Sequence, residues 1–121
     1  MEQATERRFA IVTGASSGIG YELAKCCVGG GFDLLIAADM PEIHAAADTL
    51  RAMGANVEAV QVDLATREGV DELLKAAAGK QVDALLANAG HGLGHAFLDQ
   101  EFSQIQHVVD TNVTGTLYLI H

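Results

Sequence analysis

The stretch Thr13-Gly14-Ala15-Ser16-Ser17-Gly18-Ile19-Gly20 decides how the rest of the chain is read. The apolar run Phe9-Ala10-Ile11-Val12 precedes it and has the composition of a short buried strand. After it, Ile19, Leu23, Cys26, Cys27 and Gly30 recur at helical spacing. A strand, a glycine turn and the first turn of a helix are therefore expected here. Free N–H groups at a helix N-terminus, together with the helix dipole, attract phosphate. The glycines divide the work: Gly14 allows a tight turn, Gly18 lets a ligand approach the backbone, and Gly20 lets the helix lie close to the strand. Ser16 and Ser17 add hydroxyl donors. A glycine triplet alone is weak evidence, but between a strand and a helix it predicts a dinucleotide site rather than a purely structural turn.

Outward from this stretch, strands and helices alternate. The first strand is expected over 8–13 and the first helix over 18–28, closed by Gly29-Gly30-Gly31. The second strand, 33–38, is continuously apolar through Leu34, Leu35, Ile36 and Ala37, which predicts burial on both faces and hence a parallel sheet. Pro41 falls where a second helix, 41–53, begins, with Ile43, Ala46, Ala47 and Leu50 on one face. A third strand over 56–62 follows. Thr66 is a plausible cap for a helix over 67–78 that turns Val70, Leu73, Leu74 and Ala77 inward. The fourth strand spans 82–87. A glycine-rich loop, 91–97, leads to a fourth helix beginning near Asp99, with Phe102, Ile105, Val109, Val113 and Ile120 on a stripe.

This β-α-β-α-β-α-β-α pattern predicts an α/β, Rossmann-like doubly wound parallel sheet of four strands in the order 3-2-1-4, with four helices. The 121 residues form one expected domain, 1–121, with no repeat, linker or second domain. A complete doubly wound fold has two halves, and this chain holds one half plus a strand. The fourth strand would be an apolar edge, which invites pairing with another chain. A homo-oligomer through that edge or through the fourth helix is the expected partner arrangement.

Composition narrows the function. Half the residues are hydrophobic and 5% are aromatic, so the core is built of Ala, Val, Leu and Ile. The net charge of −9 argues against nucleic acid and anionic membrane surfaces as partners. Residues 1–8 lack the apolar core of a signal peptide and no run approaches a membrane span, so a cytoplasmic location is expected. Cys26 and Cys27 are adjacent and poorly placed to bond each other; they read as small buried apolar residues.

Asp39 ends the second strand about 20 residues past the last glycine of the turn, where a carboxylate meets the ribose hydroxyls of NAD. With no Arg or Lys beside it, NAD is expected in preference to NADP, whose 2′-phosphate this carboxylate would repel. Asp63, ending the third strand, could accept from an adenine amino group; the alternative is a loop or capping aspartate. Asn88 could tie neighbouring loops together through its amide, and Gly90 would leave room for a ribose. His91 and His95 lie in a loop without an evident third ligand, so no metal site is expected. His44 and His107 are expected on exposed helix faces, and Asp83 and Asp110 have no obvious acid–base partner.

The glycine turn resembles the T-G-x-x-x-G-x-G signature of the short-chain dehydrogenase/reductase family. So do Asp63-Leu64 after the third strand, Asn88-Ala89-Gly90 after the fourth, and Asn112-Val113-Thr114-Gly115 in the fourth helix. The resemblance implies a Rossmann fold that binds NAD(H) or NADP(H) and moves a hydride to or from an alcohol or ketone. It implies that Ser16, Ser17, Gly18, Ile19 and Gly20 hold the pyrophosphate and nearby ribose. Asp39 would hold the adenosine ribose, Asp63 and Leu64 the adenine, and Asn88, Ala89 and Gly90 the ribose floor. Asn112 would match the asparagine that supports a proton relay to the catalytic lysine.

Ala87 stands where many members have a second asparagine. The family's catalytic serine and Tyr-x-x-x-Lys pair would lie beyond the strand after the fourth helix, past His121. Tyr21-Glu22-Leu23-Ala24-Lys25 spells the pair's spacing, but on the first helix, at the wrong end of the cofactor for hydride chemistry. The expectation is a cofactor-binding fragment, inactive alone. Alternatives are a stand-alone dinucleotide-binding or regulatory module completed by self-association or a partner, and the same fold without a dinucleotide.

Overall fold

The computed structural model describes residues 7–89 and 101–120. Four parallel strands form one sheet in the order β3-β2-β1-β4: β1 is Arg8–Thr13, β2 Phe32–Ala38, β3 Val57–Gln61 and β4 Ala84–Leu86. Between and after them run α1 (Gly18–Gly29), α2 (Glu42–Ala52), α3 (Arg67–Ala77), α4 (Phe102–Val109) and α5 (Thr116–Ile120). The predicted topology is the observed one. The expected fourth helix instead comprises α4, a π-helical stretch over Asp110–Gly115 and α5.

The unbroken apolarity of β2 follows from the two layers around it. Ala10, Val12, Leu34 and Ile36 join Ala24 and Val28 of α1 and Ile43, Ala47 and Leu50 of α2 on one face. Ile11, Leu35 and Ala37 join Val70, Leu73 and Ala77 of α3 and Leu119 of α5 on the other. Successive strand residues point to opposite faces, so both sets must be apolar when both faces are covered. Each fully buried Leu or Ile contributes about 1.5–3 kcal/mol through water exclusion.

Element ends differ from expectation for local reasons. β4 is shorter because Asp83 is engaged across β1 in both directions. Its N–H donates to the Phe9 carbonyl at 2.8 Å, and its carboxylate accepts from the Phe9 N–H at 2.8 Å. Asn56 precedes β3 because its N–H and side-chain amide both donate to the Asp33 carboxylate, at 3.1 and 3.2 Å. The Thr66 cap is as expected, its hydroxyl accepting from the Gly69 N–H at 3.0 Å.

Several expected inward faces are corrected. On α1 the buried residues are Gly20, Ala24 and Val28, whereas Ile19 is 72% exposed. Cys26 is exposed and Cys27 half-buried, so the pair is not a core element; burial, then the neighbouring Cys26, pushes the Cys27 thiol up in pKa. Leu74 points outward. After β4 the apolar stripe is turned out: Phe102, Val109, Val113 and Ile120 are exposed, while Thr111, Gly115 and Leu119 are buried. His107 is half-buried rather than exposed. The expected Asp99 cap and the Ile105 side chain lie outside the described residues.

Candidate functional site

The site is assembled where β1 ends. Gly14 and Gly18 have φ of 66° and 62°, the left-handed region that side chains disfavour. The turn is pinned to β2, because the Gly14 N–H donates to the Ala37 carbonyl at 2.8 Å. Gly20 lets α1 descend onto that turn: a Cβ there would lie 2.0 Å from the Gly14 carbonyl oxygen. A Cβ on Gly18, by contrast, would meet nothing within 4 Å. That backbone is open on its outer side. Ser17 stands before α1 in an extended conformation without a side-chain capping bond. The N-terminus of α1 also carries no acidic residue in its first turn, so its positive dipole end is not neutralised from within the helix.

Thr13, 1% exposed, ties this turn to β4. Its hydroxyl oxygen accepts from the N–H groups of Asn88 and Ala89, both at 2.9 Å. Asn88 returns a long bond from its side-chain amide to the Gly14 carbonyl at 3.5 Å. The expected loop-tying role of the Asn88 amide is therefore visible as geometry.

These parts border a cavity of about 300 Å³ at the carboxyl ends of the strands, lined by Gly14, Ser16, Ser17, Asp39, Asp63, Leu64, Asn88 and Ala89 together with Ala38, Met40, Val62 and Thr111. Eight predicted site residues thus converge from the ends of four strands. Gly18 and Ile19 lie exposed at the start of α1, and Gly20 is buried beneath the turn. Asn112 is exposed on the π-helical stretch and is not among the lining residues. Gly90, His91 and His95 lie outside the described residues. Among the described residues no three His, Cys, Asp or Glu side chains gather as a metal site.

Charge around the cavity is one-sided. Asp39 and Asp63 line it and no lysine or arginine does, among the described residues. One Asp63 oxygen accepts from the Ala65 N–H at 2.9 Å, so the loop aspartate expected as an alternative is real, and the residue still faces the cavity. Tyr21 and Lys25 take no part: Lys25 sits 3.1 Å from Glu22 and 5.1 Å above the Tyr21 ring, away from the lining.

Sequence reasoning missed Thr13 and Thr111 as parts of this arrangement. Thr13 stands at the end of β1 opposite the end of β4, and two N–H groups there need an acceptor. Thr111 shares helical spacing with buried Gly115 and Leu119, the signal that would have found it.

A larger cleft of about 830 Å³ opens at the other end of the sheet. Its charges are largely spent on one another, with Arg7 on Asp33 at 2.6 Å and Lys80 on Glu58 at 3.4 Å. Ligands of open α/β sheets bind outside the carboxyl ends of the strands, and only that end carries the glycine turn.

The residues present fit a dinucleotide. An open, positive-φ glycine turn at an uncapped helix N-terminus suits a diphosphate, and carboxylates at the ends of β2 and β3 suit ribose and base. Comparison with known proteins agrees in family. The short chain dehydrogenase model matches residues 8–121, and the chain belongs to that family. A very-long-chain 3-oxoacyl-CoA reductase of Podospora anserina is 34% identical over 90% of this chain and 34% of its own length. An uncharacterized oxidoreductase of Myxococcus xanthus is 34% identical over 89% of this chain and 44% of its own.

Among solved structures, L-sorbose reductase from Gluconobacter frateurii, complexed with NADPH and L-sorbose, superposes with TM-score 0.85 at 29% identity, covering 98% of this chain and 47% of that one. A short-chain dehydrogenase/reductase from Burkholderia phymatum in complex with NAD gives TM-score 0.87 at 30% identity, covering 95% and 42%. The chain spans 34% to 50% of the length of the curated relatives it matches. Among the described residues no helix is long and apolar enough to cross a membrane.

Proposed function

We propose that this chain is the cofactor-holding part of an NAD(P)-dependent oxidoreductase acting between an alcohol and a ketone. The observation that carries this reading is the open glycine turn at the head of α1, bordering a cavity that gathers residues from the ends of all four strands. The N–H groups from Gly18 to Gly20, with Ser16 and Ser17, hold the diphosphate and nearby ribose, and Ile19 shields them. Asp39 accepts from the adenosine ribose hydroxyls, and Asp63 and Leu64 meet the adenine. Asn88 and Ala89 floor the second ribose, a role the family pattern extends to Gly90. The bound nicotinamide supplies a hydride acceptor or donor. Asn112 supports the proton relay that accompanies it, as in the family pattern.

Within this reading the cofactor is NAD rather than NADP. Asp39 is exposed on the rim, and among the described residues the lining holds no lysine or arginine to receive a 2′-phosphate. The protein is cytoplasmic, and the 121 residues alone turn over alcohols negligibly, because the resemblance assigns protonation of the carbonyl oxygen to a serine and a Tyr-x-x-x-Lys pair that follow the fourth helix in the family pattern. A second reading, a binding module completed by self-association, is favoured by the outward apolar residues Phe102, Val109, Val113, Leu117 and Ile120.

Calorimetric titration tests the cofactor assignment. NAD binds the wild-type protein at least about tenfold tighter than NADP, the scale of a charge-assisted hydrogen bond. Asp39→Ala narrows the gap, and Asp39→Arg reverses it. Wild-type protein that prefers NADP, or Asp39→Ala that leaves the ratio unchanged, overturns the assignment.

A further inference from the structure

The cleft at the amino ends of β1, β2 and β3 gathers the cations of an acidic chain. Arg7, Arg8, Arg51 and Lys80 line it, four of the seven lysines and arginines, although the chain carries a net charge of −9. Three carboxylates line it too, those of Asp33, Glu58 and Asp83. Two of these are met by N–H groups: Asp33 accepts from the backbone and side-chain amides of Asn56, and Asp83 accepts from the Phe9 N–H. Two of the cations are committed. Arg7 donates to the Asp33 carboxylate and the Phe32 carbonyl, and Arg51 to the Asp48 carboxylate and the Val57 carbonyl.

Arg8 and Lys80 are held differently. The exposed Arg8 side chain places its guanidinium 4.9 Å from the centroid of the Phe32 ring, and among the described residues it makes no hydrogen bond or ion pair. A guanidinium stacked on a ring is oriented while its in-plane N–H donors stay open, in the fork that matches a carboxylate or a phosphate. The Lys80 ammonium lies 5.2 Å from the Phe9 ring centroid and 3.4 Å from the Glu58 carboxylate. An exposed ion pair that long contributes little, so the ammonium exchanges partners at low cost.

We propose that this cleft is a second ligand site, for a small dianion with two acidic groups, one taken by the Arg8 fork and the other by the Lys80 ammonium. The cleft, about 830 Å³ in volume, has room for such a molecule. It differs in chemistry from the cavity at the carboxyl ends of the strands, which offers N–H groups and, among the described residues, no lysine or arginine. The acidic groups are carboxylates or phosphates, since both fit the fork.

Amide-resolved NMR titrations of the purified chain with succinate and with pyrophosphate, at ionic strength held constant with sodium chloride, test this site. Saturable shifts at the amides of Arg8, Phe9 and Gln81 are expected at roughly millimolar concentration of at least one of the two, as a few charge-assisted bonds give. The anion that binds identifies the acidic group. Shifts at Ser16 to Gly20 belong to the glycine turn and are fitted separately, so failure at one site is distinguished from failure at the other. Arg8→Gln is expected to weaken binding in the cleft at least about tenfold, and Lys80→Gln at least about threefold. Both side chains are exposed, so both variants stay folded. Absence of saturable shifts in the cleft with either anion overturns the proposal. So do shifts that sodium chloride alone reproduces, or an affinity that Arg8→Gln or Lys80→Gln leaves at the wild-type value.

Discussion

Thr13 and Gly20 show how much of the site depends on single atoms. The Thr13 hydroxyl satisfies two N–H groups at the end of β4, so Thr13→Val strands both, at a cost of about 2 kcal/mol or more. Urea unfolding should show that loss, and a midpoint equal to wild type would contradict it. At Gly20 the cost is steric: a methyl group 2.0 Å from the Gly14 carbonyl forces α1 away from the turn. Gly20→Ala is expected to lose about 1–3 kcal/mol, as overpacking does, and dinucleotide binding with it.

Asp33, at the opposite end of the sheet, carries a pH dependence. Burial pushes its carboxyl up, but the hydrogen bonds from Asn56 and Arg7 outweigh this and hold it below the usual range. A depressed folded-state pKa gives stability that is present above the unfolded value, about 3.9. That stability is lost as pH falls through the folded value. Wild type should therefore exceed Asp33→Asn in stability at pH 7, by an amount that shrinks on acidification below about 4. A gap constant from pH 7 to pH 3, measured by denaturant midpoints, would contradict this.

At the scale of elements, the two helices that border the site were the least legible. Hydrophobic periodicity favours large side chains, so it picked Ile19 on α1 and Phe102, Val109 and Val113 after β4. The faces that turn in are Gly20, Ala24 and Val28, and Thr111, Gly115 and Leu119. Both helices come within touching distance of a backbone carbonyl, of Gly14 and of Leu64. Close approach selects small residues and leaves the large ones outside. By contrast α2 packs through Ile43, Ala46, Ala47 and Leu50 as its spacing predicted. The outward stripe belongs to an interface in our reading. Val109→Glu with Val113→Glu should leave folding stability within about 0.5 kcal/mol per exposed site and shift sedimentation from oligomer to monomer. Wild-type protein that sediments as a monomer at micromolar concentration would remove the interface.

Across the whole molecule, topology was the most legible property. Strict alternation of strands and helices, with continuous apolarity in β2, leaves few arrangements, and the sheet adopts the expected order 3-2-1-4. That order brings the ends of all four strands to one cavity, which is why residues as distant in sequence as Gly14, Asp39, Asp63 and Asn88 meet there. What spacing could not convey was the cross-strand stitching by Thr13 or the buried hydroxyl of Thr111, unpaired among the described residues, since both depend on which backbone groups lie opposite.

The most direct test of the glycine turn as a diphosphate cradle is an amide-resolved NMR titration of the protein with NAD. Saturable shifts concentrated on the amides of Ser16 to Gly20, with smaller ones at Asp39 and Asp63, are the expected result. No saturable shift, or shifts confined to Arg7, Asn56 and Lys80 around the opposite cleft, would contradict it.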